Sequence, residues 1–228
     1  VDSNIENKSE FYIKLKLICS KIFLIHLGDE SGIYDLSLLY NNFNYVWRTF
    51  CSNKYFTNKQ VSCLPIGYKS GTFFKKQEGE RKYKWAFIGT PHKSGRHDLL
   101  FQLSTIKPSY CYKTKKFNDK IMEINEMNEI LSSTEFIPCP SGFVHPETYR
   151  LYESLECGCI PIVENAYKYY DRLFPNNPFL KVDKWIEAKA VIEKWGRPQI
   201  KYKRKECEVW WKQHKNQLQE FIKNKINS

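Results

Sequence analysis

Two glutamates, an arginine and a serine lie at helical spacing between residues 147 and 154. Glu147, Arg150 and Ser154 are three and four residues apart, so a helix through them would carry all three on one face. Glu153 lies on a neighbouring face. Arg150 offers a planar fork of donors that suits phosphate oxygens, and Glu153 can accept hydrogen bonds from two vicinal hydroxyls. These side chains suit a nucleoside diphosphate, and the same spacing also fits a surface ion pair between Arg150 and Glu153.

The segment before these residues predicts a helix N-terminus that can bind an anion. Pro146, with the acid Glu147 beside it, fits the first turn of a helix. Free backbone N–H groups after Ser141-Gly142, together with the positive end of the helix dipole, would attract phosphate. The binding residues predicted in this part of the chain are Pro138, Ser141, Gly142, Glu147, Thr148, Arg150, Glu153 and Ser154.

Short apolar runs alternate with helical stretches along the chain, which predicts an α/β fold with a parallel sheet. Such a sheet would place the site at its carboxyl edge. Strands are predicted at residues 21–27, 45–50, 61–65, 85–88, 109–112, 136–138 and 159–163. Helices are predicted at 92–104, 121–131 and 204–226, and from His145 to a C-cap at Gly158. Residues 67–84 contain three glycines and many charges, which predicts a linker or mobile loop.

The chain of 228 residues carries 36 Lys plus Arg against 25 Asp plus Glu, a formal charge of +11. This excess fits either nucleic acid or a smaller polyanion such as a diphosphate. No helix-turn-helix, zinc-finger or RNP-like motif accompanies the lysine clusters, so a nucleic-acid-binding module is the weaker alternative. Each cluster also fits a solvated face.

Eight cysteines are spread along the chain, most of them in apolar surroundings, and none forms a C-x-x-C pair. Free cysteines are commonly buried in proteins of reducing compartments. The sequence therefore predicts eight reduced thiols and a cytoplasmic protein. It shows no signal peptide and no apolar stretch long enough to span a membrane. A Golgi-lumen location is the alternative if an anchor precedes this sequence.

Two groups of motifs resemble those of a known family. The stretch from Arg150-Leu151-Tyr152-Glu153-Ser154-Leu155 to Gly158-Cys159-Ile160-Pro161-Ile162-Val163 resembles the R-x-x-E-A-L…C-I-P-V-I signature of exostosin-like glycosyltransferases. Leu64-Pro65-Ile66-Gly67-Tyr68 is similar to these sequences too, as is Trp85-Ala86-Phe87-Ile88-Gly89-Thr90 with Arg96 after it. The resemblance extends from residue 64 to 163, and it favours the nucleotide site over the surface ion pair.

The resemblance implies the GT-B fold, in which two Rossmann-like domains face a cleft. It implies an N-terminal acceptor-side domain at residues 1–72, small or truncated, and a C-terminal nucleotide-sugar-binding domain at 73–203. The last helix, at residues 204–228, would pack back on the N-terminal domain.

The resemblance also implies a UDP-sugar donor. Arg150 would face the diphosphate and Glu153 the ribose, while Gly89, Thr90 and Arg96 would lie near the phosphates or the donor sugar. No metal cofactor is expected, because basic side chains and a helix N-terminus neutralise the leaving diphosphate in such enzymes. The sequence agrees in having no Asp-x-Asp triplet.

The predicted reaction also needs a base. Loss of a nucleoside diphosphate develops negative charge, so positive groups such as Arg150 supply the main catalytic effect. An inverting transfer requires a base for the acceptor hydroxyl. Asp29, at the end of a predicted strand, is the first candidate and Glu30 the second, although both residue types also favour turns and caps.

The sequence thus predicts a metal-independent, inverting glycosyltransferase that moves a hexose or pentose from a UDP-sugar to a hydroxyl of a glycan or glycoconjugate. Its partners would be the UDP-sugar and the glycan acceptor, without nucleic acid. A catalytically inactive relative that binds a nucleotide or a glycan is the other alternative.

Overall fold

The computed structural model of the chain describes residues 8–75, 80–93, 95–115 and 122–228. These residues form an α/β fold with two parallel sheets flanked by helices, which confirms the predicted fold class. The chain divides into two compact units with Rossmann-like strand–helix alternation. Unit 1 consists of the residues up to Ile66 together with Gln217–Ser228, and unit 2 of Gly67–Asn216.

Unit 1 contains a three-stranded parallel sheet. Its elements are α1 (Ser9–Ile18), β1 (Phe23–His26), α2 (Ser37–Tyr40), β2 (Tyr45–Arg48), α3 (Asn53–Phe56) and β3 (Val61–Cys63). The strand order is β1-β2-β3, with Phe23 opposite Tyr45 and Val46 opposite Val61. All four residues of β2 are buried because this strand lies between the other two.

Unit 2 contains a five-stranded parallel sheet in the order β5-β4-β6-β7-β8. Its elements are β4 (Tyr83–Gly89), α4 (Arg96–Leu103), β5 (Ser109–Lys113), α5 (Ile124–Ser132), β6 (Thr134–Cys139), α6 (Tyr149–Glu156), β7 (Ile160–Glu164), α7 (Tyr169–Leu173), β8 (Leu180–Val182), α8 (Trp185–Lys194) and α9 (Arg197–Asn227). The first strand, β4, has β5 on one side and β6 on the other, so the strand order reverses direction between β4 and β6.

Helices pack on both faces of the sheet in unit 2. Leu99 and Leu103 of α4 and Ala188 of α8 pack with Trp85 and Phe87 of β4 in one buried cluster. Because crossovers are right-handed and leave the reversal in opposite directions, α4 and α6 lie on opposite faces. Strands that are buried on both faces have nearly continuous apolar sequences, and such apolar runs predicted the strands of this sheet.

The last helix is longer than predicted. It begins at Arg197 rather than at residue 204 and runs for 31 residues, and its final turns belong to unit 1. There Phe221 packs edge-to-face on Tyr45, with ring centroids 6.0 Å apart, and Lys225 lies over the same ring at 4.6 Å. No helix in the described ranges, α9 included, combines the length and apolarity needed to cross a membrane.

The predicted helix from His145 begins later than expected. Helix α6 starts at Tyr149, so Pro146 lies in the loop before it and not in its first turn. This loop is folded on itself, since the Gly142 N–H donates to the His145 carbonyl at 2.8 Å. The predicted C-cap is confirmed, because Gly158 follows α6 with φ of 67°. The predicted start of α5, at Ile121, lies outside the described residues.

The predicted linker is attached to α5 where the structure describes it. The Phe73 N–H donates to Asn128 Oδ1 at 3.3 Å, and the Lys75 N–H donates to Ser132 Oγ at 2.8 Å. In return the Asn128 amide donates to the Gly71 carbonyl at 2.8 Å. Two buried side chains that are distant in sequence therefore hold residues 71–75 against α5, where a linker or mobile loop was predicted.

A disulfide joins Cys51 to Cys63, whose Cα atoms are 5.7 Å apart. The prediction of eight reduced thiols is wrong for this pair. Parallel pairing of β2 with β3 brings the two cysteines together, and no sequence spacing announces that contact. Cys139, Cys157, Cys159 and Cys207 are buried free thiols, as predicted, and burial raises the pKa of each one.

We expect the disulfide to stabilise unit 1 by about 3 kcal/mol, because it closes a short loop and restricts the unfolded chain. Cys51→Ser should lower the free energy of unfolding by that amount in denaturant titrations. Cys111→Ser is the matched control, since Cys111 is an exposed free thiol. Equal stability of the two variants under non-reducing conditions would contradict the disulfide.

Candidate functional site

The carboxyl ends of β4, β6 and β7 meet at one edge of the sheet in unit 2. Gly89, Cys139 and Glu164 are the last residues of these strands. Ligands of open α/β sheets bind beyond such ends where the strand order reverses. The reversal between β4 and β6 lies here, and the loops that follow β4 and β6 lead to Arg96 and Arg150.

Arg150 is fixed at the end of β4. Its Nη2 donates to the Ile88 carbonyl at 2.7 Å, and its Cζ lies 4.8 Å from the centre of the Phe87 ring. A Cβ added to Gly89 would lie 2.6 Å from the same Nη2, so this position requires glycine. Burial lowers the pKa of Arg150, which still remains a cation because its ordinary value is so high.

Arg96 lies beside Arg150 and is only 5% exposed. Its Nη1 donates to the Thr90 carbonyl at 2.9 Å and its Nη2 to the Ser141 carbonyl at 3.3 Å, while no described residue accepts a hydrogen bond from its buried Nε. Burial and the charge of Arg150 lower the pKa of Arg96 to about 10. An anion bound here would offset both the like-charge repulsion and the unsatisfied donor. We call Arg96 and Arg150 the arginine pair.

Glu164 organises the same edge, although it is not among the site residues predicted from the sequence. Its carboxylate accepts the Ser141 N–H at 2.8 Å and the Trp185 Nε1–H at 3.0 Å. A Cβ on Gly95 would lie 2.6 Å from Glu164 Oε1, so the helix α4 also starts against this carboxylate. The charge of Glu164 partly restores the pKa of Arg96. An acid placed directly after the apolar strand Ile160-Pro161-Ile162-Val163 was the available signal.

The backbone N–H groups of Ser141 and Gly142, two of the predicted binding residues, already have acceptors. The Ser141 N–H donates to Glu164, and the Gly142 N–H donates to the His145 carbonyl at 2.8 Å. These two N–H groups are therefore not available to a ligand, and the part of Ser141 and Gly142 in binding stays a prediction. Thr148 is the N-cap residue of α6 in an extended conformation, and its buried Oγ1 has no hydrogen-bond partner among the described residues. This hydroxyl therefore has capacity for a ligand.

Three other predicted residues lie inside the protein. Both oxygens of the buried Glu147 carboxylate accept hydrogen bonds, from the hydroxyls of Tyr152 and Tyr169. Ser154 is fully buried and donates to the Leu151 carbonyl at 2.7 Å. Pro138 is buried within β6. In this arrangement these residues hold α6 and its preceding loop in place, and their role in binding stays a prediction.

Glu153 lies one turn after Arg150 on α6 and is half-buried. Burial raises the pKa of its carboxyl group, while the charges of Arg150 and Lys69 lower it. Thr90 adds a further polar contact at this edge, since its hydroxyl lies 2.8 Å from that of Thr114. The structure thus brings Gly89, Thr90, Arg96, Ser141 and Arg150 into one connected set of contacts.

The two candidate bases belong to unit 1. Asp29 has φ of 58°, and its carboxylate binds Arg48 Nη2 at 3.2 Å and accepts the Ile33 N–H at 3.2 Å. Arg48 is completely buried and also donates to the Tyr40 hydroxyl at 3.2 Å. Glu30 is exposed. The Asp29 carboxylate therefore has a structural partner already, and both assignments stay predictions.

Comparison with known proteins gives one family and two curated relatives. Residues 69–228 match the family model described as the RXYLT1 C-terminal domain. The chain is 26% identical over 172 residues to the ribitol-5-phosphate xylosyltransferase 1 of Homo sapiens, an alignment that covers 65% of this chain and 39% of that protein. It is 25% identical over 157 residues to the protein of the same name from Mus musculus, covering 59% and 35%.

These alignments span about two fifths of the length of the curated relatives or less. They relate the chain to glycosyltransferases, since both relatives are named as xylosyltransferases. The family found is not the exostosin-like one, and that resemblance stays a prediction.

Proposed function

We propose that unit 2 is the nucleotide-sugar-binding part of a glycosyltransferase, because the chain belongs to the RXYLT1 C-terminal domain family. The arginine pair at the reversal between β4 and β6 carries the proposal. Two adjacent guanidinium groups, one of them buried with an Nε that no other described residue binds, favour a multiply charged anion such as a diphosphate.

The donor that we propose is a UDP-sugar, and the sugar a pentose. The curated relatives are named as xylosyltransferases, which supports xylose. Their name also gives ribitol-5-phosphate as the molecule acted upon. We propose that this chain likewise transfers the sugar to a hydroxyl of a phosphorylated alditol that forms part of a glycan.

The proposed reaction is a direct displacement with inversion. The acceptor oxygen bonds to the anomeric carbon, the bond from that carbon to the diphosphate oxygen breaks, and UDP leaves with the electron pair. The acceptor proton passes to a carboxylate base. The arginine pair would stabilise the charge that develops on the diphosphate, without a metal ion, and Glu153 would accept from the ribose hydroxyls. Of the two candidate bases, Glu30 is exposed and Asp29 is occupied by Arg48.

An oxidising compartment is the location that we propose. Disulfides persist in secretory compartments and are rare in the cytoplasm. The bond between Cys51 and Cys63 therefore supports a lumenal location over the cytoplasmic one. A Golgi lumen would also suit an enzyme that modifies glycans.

Nucleotide binding tests the proposal most directly. A ligand present at 100 times its Kd adds about 2.7 kcal/mol to the free energy of unfolding, so UDP and UDP-xylose should raise the Tm and xylose alone should not. No shift with any nucleotide would contradict the donor site. Binding of UDP-xylose without release of UDP in the presence of acceptor would identify an inactive relative.

A further inference from the structure

A groove of about 530 Å3 opens between helix α4 and the residues that follow β5 in unit 2. One wall carries His97 and Phe101 from α4, with His92 from the loop before it. The other wall carries Lys113 and Lys115. We call this site the basic groove. It is separate from the arginine pair, which does not line it.

The described residues that line the basic groove do not neutralise its charges. None of its described lining residues is acidic. Lys113 and Lys115 are exposed, and neither forms an ion pair with any residue of the described ranges. Two ammonium groups facing one concave surface create a local positive potential that favours an anion. The imidazoles of His92 and His97 add hydrogen-bond donors to the same surface.

The rest of the lining fits a ligand that is more than an inorganic anion. Leu100, Phe101 and Pro91 form an apolar part of the groove, and Ser104 and Thr114 contribute hydroxyl groups. Carbon chains that carry several hydroxyls make both kinds of contact. The mixture therefore suits a phosphorylated polyol, whose phosphate meets the lysines and whose chain lies along the remaining lining.

The basic groove adjoins the arginine pair through the strand ends. Lys113 pairs in register with Gly89, the glycine against which Arg150 lies. The Thr114 N–H donates to the Gly89 carbonyl at 3.1 Å, and the hydroxyls of Thr114 and Thr90 are 2.8 Å apart. Adjacent strands are about 4.8 Å apart, so a ligand in the groove lies within reach of one bound at the arginine pair.

We infer that the basic groove binds the phosphoryl group of the acceptor, next to but distinct from the site of the donor diphosphate. This inference rests on the proposed function, and it assigns the specificity for a phosphorylated acceptor to Lys113 and Lys115. A phosphate held there would tether the alditol while its hydroxyl approaches the donor sugar.

The test compares two double variants with the same loss of charge. Lys113→Gln/Lys115→Gln removes the lysines of the groove. Lys84→Gln/Lys107→Gln is the matched control, because these exposed lysines lie at the opposite, amino ends of β4 and β5. Titrations use ribitol 5-phosphate, ribitol, inorganic phosphate and UDP. We expect the groove variant to bind ribitol 5-phosphate roughly tenfold or more weakly, with its affinity for UDP unchanged and the control like the parent.

Kinetics give a second readout that a structural defect would not reproduce. The KM for the phosphorylated acceptor should rise roughly tenfold in the groove variant while kcat changes little. If the groove variant loses more affinity for UDP than for ribitol 5-phosphate, the donor diphosphate lies in the groove and the inference is wrong. Equal affinity of the groove and control variants for ribitol 5-phosphate would also overturn the inference. Binding of ribitol 5-phosphate is measured without donor or turnover, so failure of the proposed transfer activity can be recognised separately.

Discussion

Arg150→Ala is expected to reduce sugar transfer about 10²–10³-fold, the loss typical of removing one preorganised donor from a developing anion. Arg150 is the member of the arginine pair whose guanidinium is fixed by a hydrogen bond to the Ile88 carbonyl and by the Phe87 ring, and within the described ranges its other donors are left for a ligand. Release of UDP from UDP-xylose in the presence of ribitol 5-phosphate measures the rate. The affinity for UDP should fall as well, because the charge acts in the bound state and in the transition state.

Two further variants separate the loss of charge from a loss of folding. Arg150→Lys keeps the charge without the planar fork and should retain intermediate activity. Arg197→Ala removes an arginine from an exposed ion pair with Glu80 and should leave both the rate and the Tm nearly unchanged. If Arg150→Ala keeps its Tm, its UDP affinity and a rate within twofold of the parent, the donor site is not at the arginine pair.

Gly89→Ala should be nearly as damaging, although it changes no charge. The added Cβ would lie 2.6 Å from Arg150 Nη2, and alanine is strained at the φ of 143° found here. The guanidinium must then leave the end of β4, which misplaces the charge meant for the diphosphate. We expect a loss of transfer approaching that of Arg150→Ala and a strain cost of roughly 1–3 kcal/mol in the free energy of unfolding.

The effects of Gly89→Ala and Arg150→Ala on the rate of sugar transfer should not be additive. If Gly89→Ala acts by displacing Arg150, then Gly89→Ala/Arg150→Ala should transfer sugar no more slowly than Arg150→Ala alone. Gly28→Ala provides the control for strain, because Gly28 has a similar φ of 140° with no atom within 4 Å of an added Cβ. A loss of stability equal to that of Gly28→Ala, with full activity, would show that Gly89 does not position Arg150.

Local patterns in the sequence determined much of unit 2. Apolar runs, helical spacing and a glycine C-cap predicted the central strands, α6 and its end at Gly158, and these are confirmed. Such signals are local, because strand alternation and helix capping depend on residues a few positions apart. Arg150 was singled out by its spacing and by a family resemblance, and Gly89 and Arg96 by the resemblance alone. The structure places Arg150 against Gly89 and close enough to Arg96 for their charges to interact.

The tertiary structure decided the features that depend on distant residues. Glu164 becomes part of the site because β7 ends beside the loop after β6, so that its carboxylate takes the Ser141 N–H across 23 positions of sequence. The disulfide of Cys51 with Cys63 forms because two parallel strands bring the cysteines together. Lys113 lies beside Gly89 through the register of β4 with β5. The spacing of residues in the sequence does not determine the register between strands, because packing of the whole sheet fixes it. The register therefore decided which charged side chains share a surface.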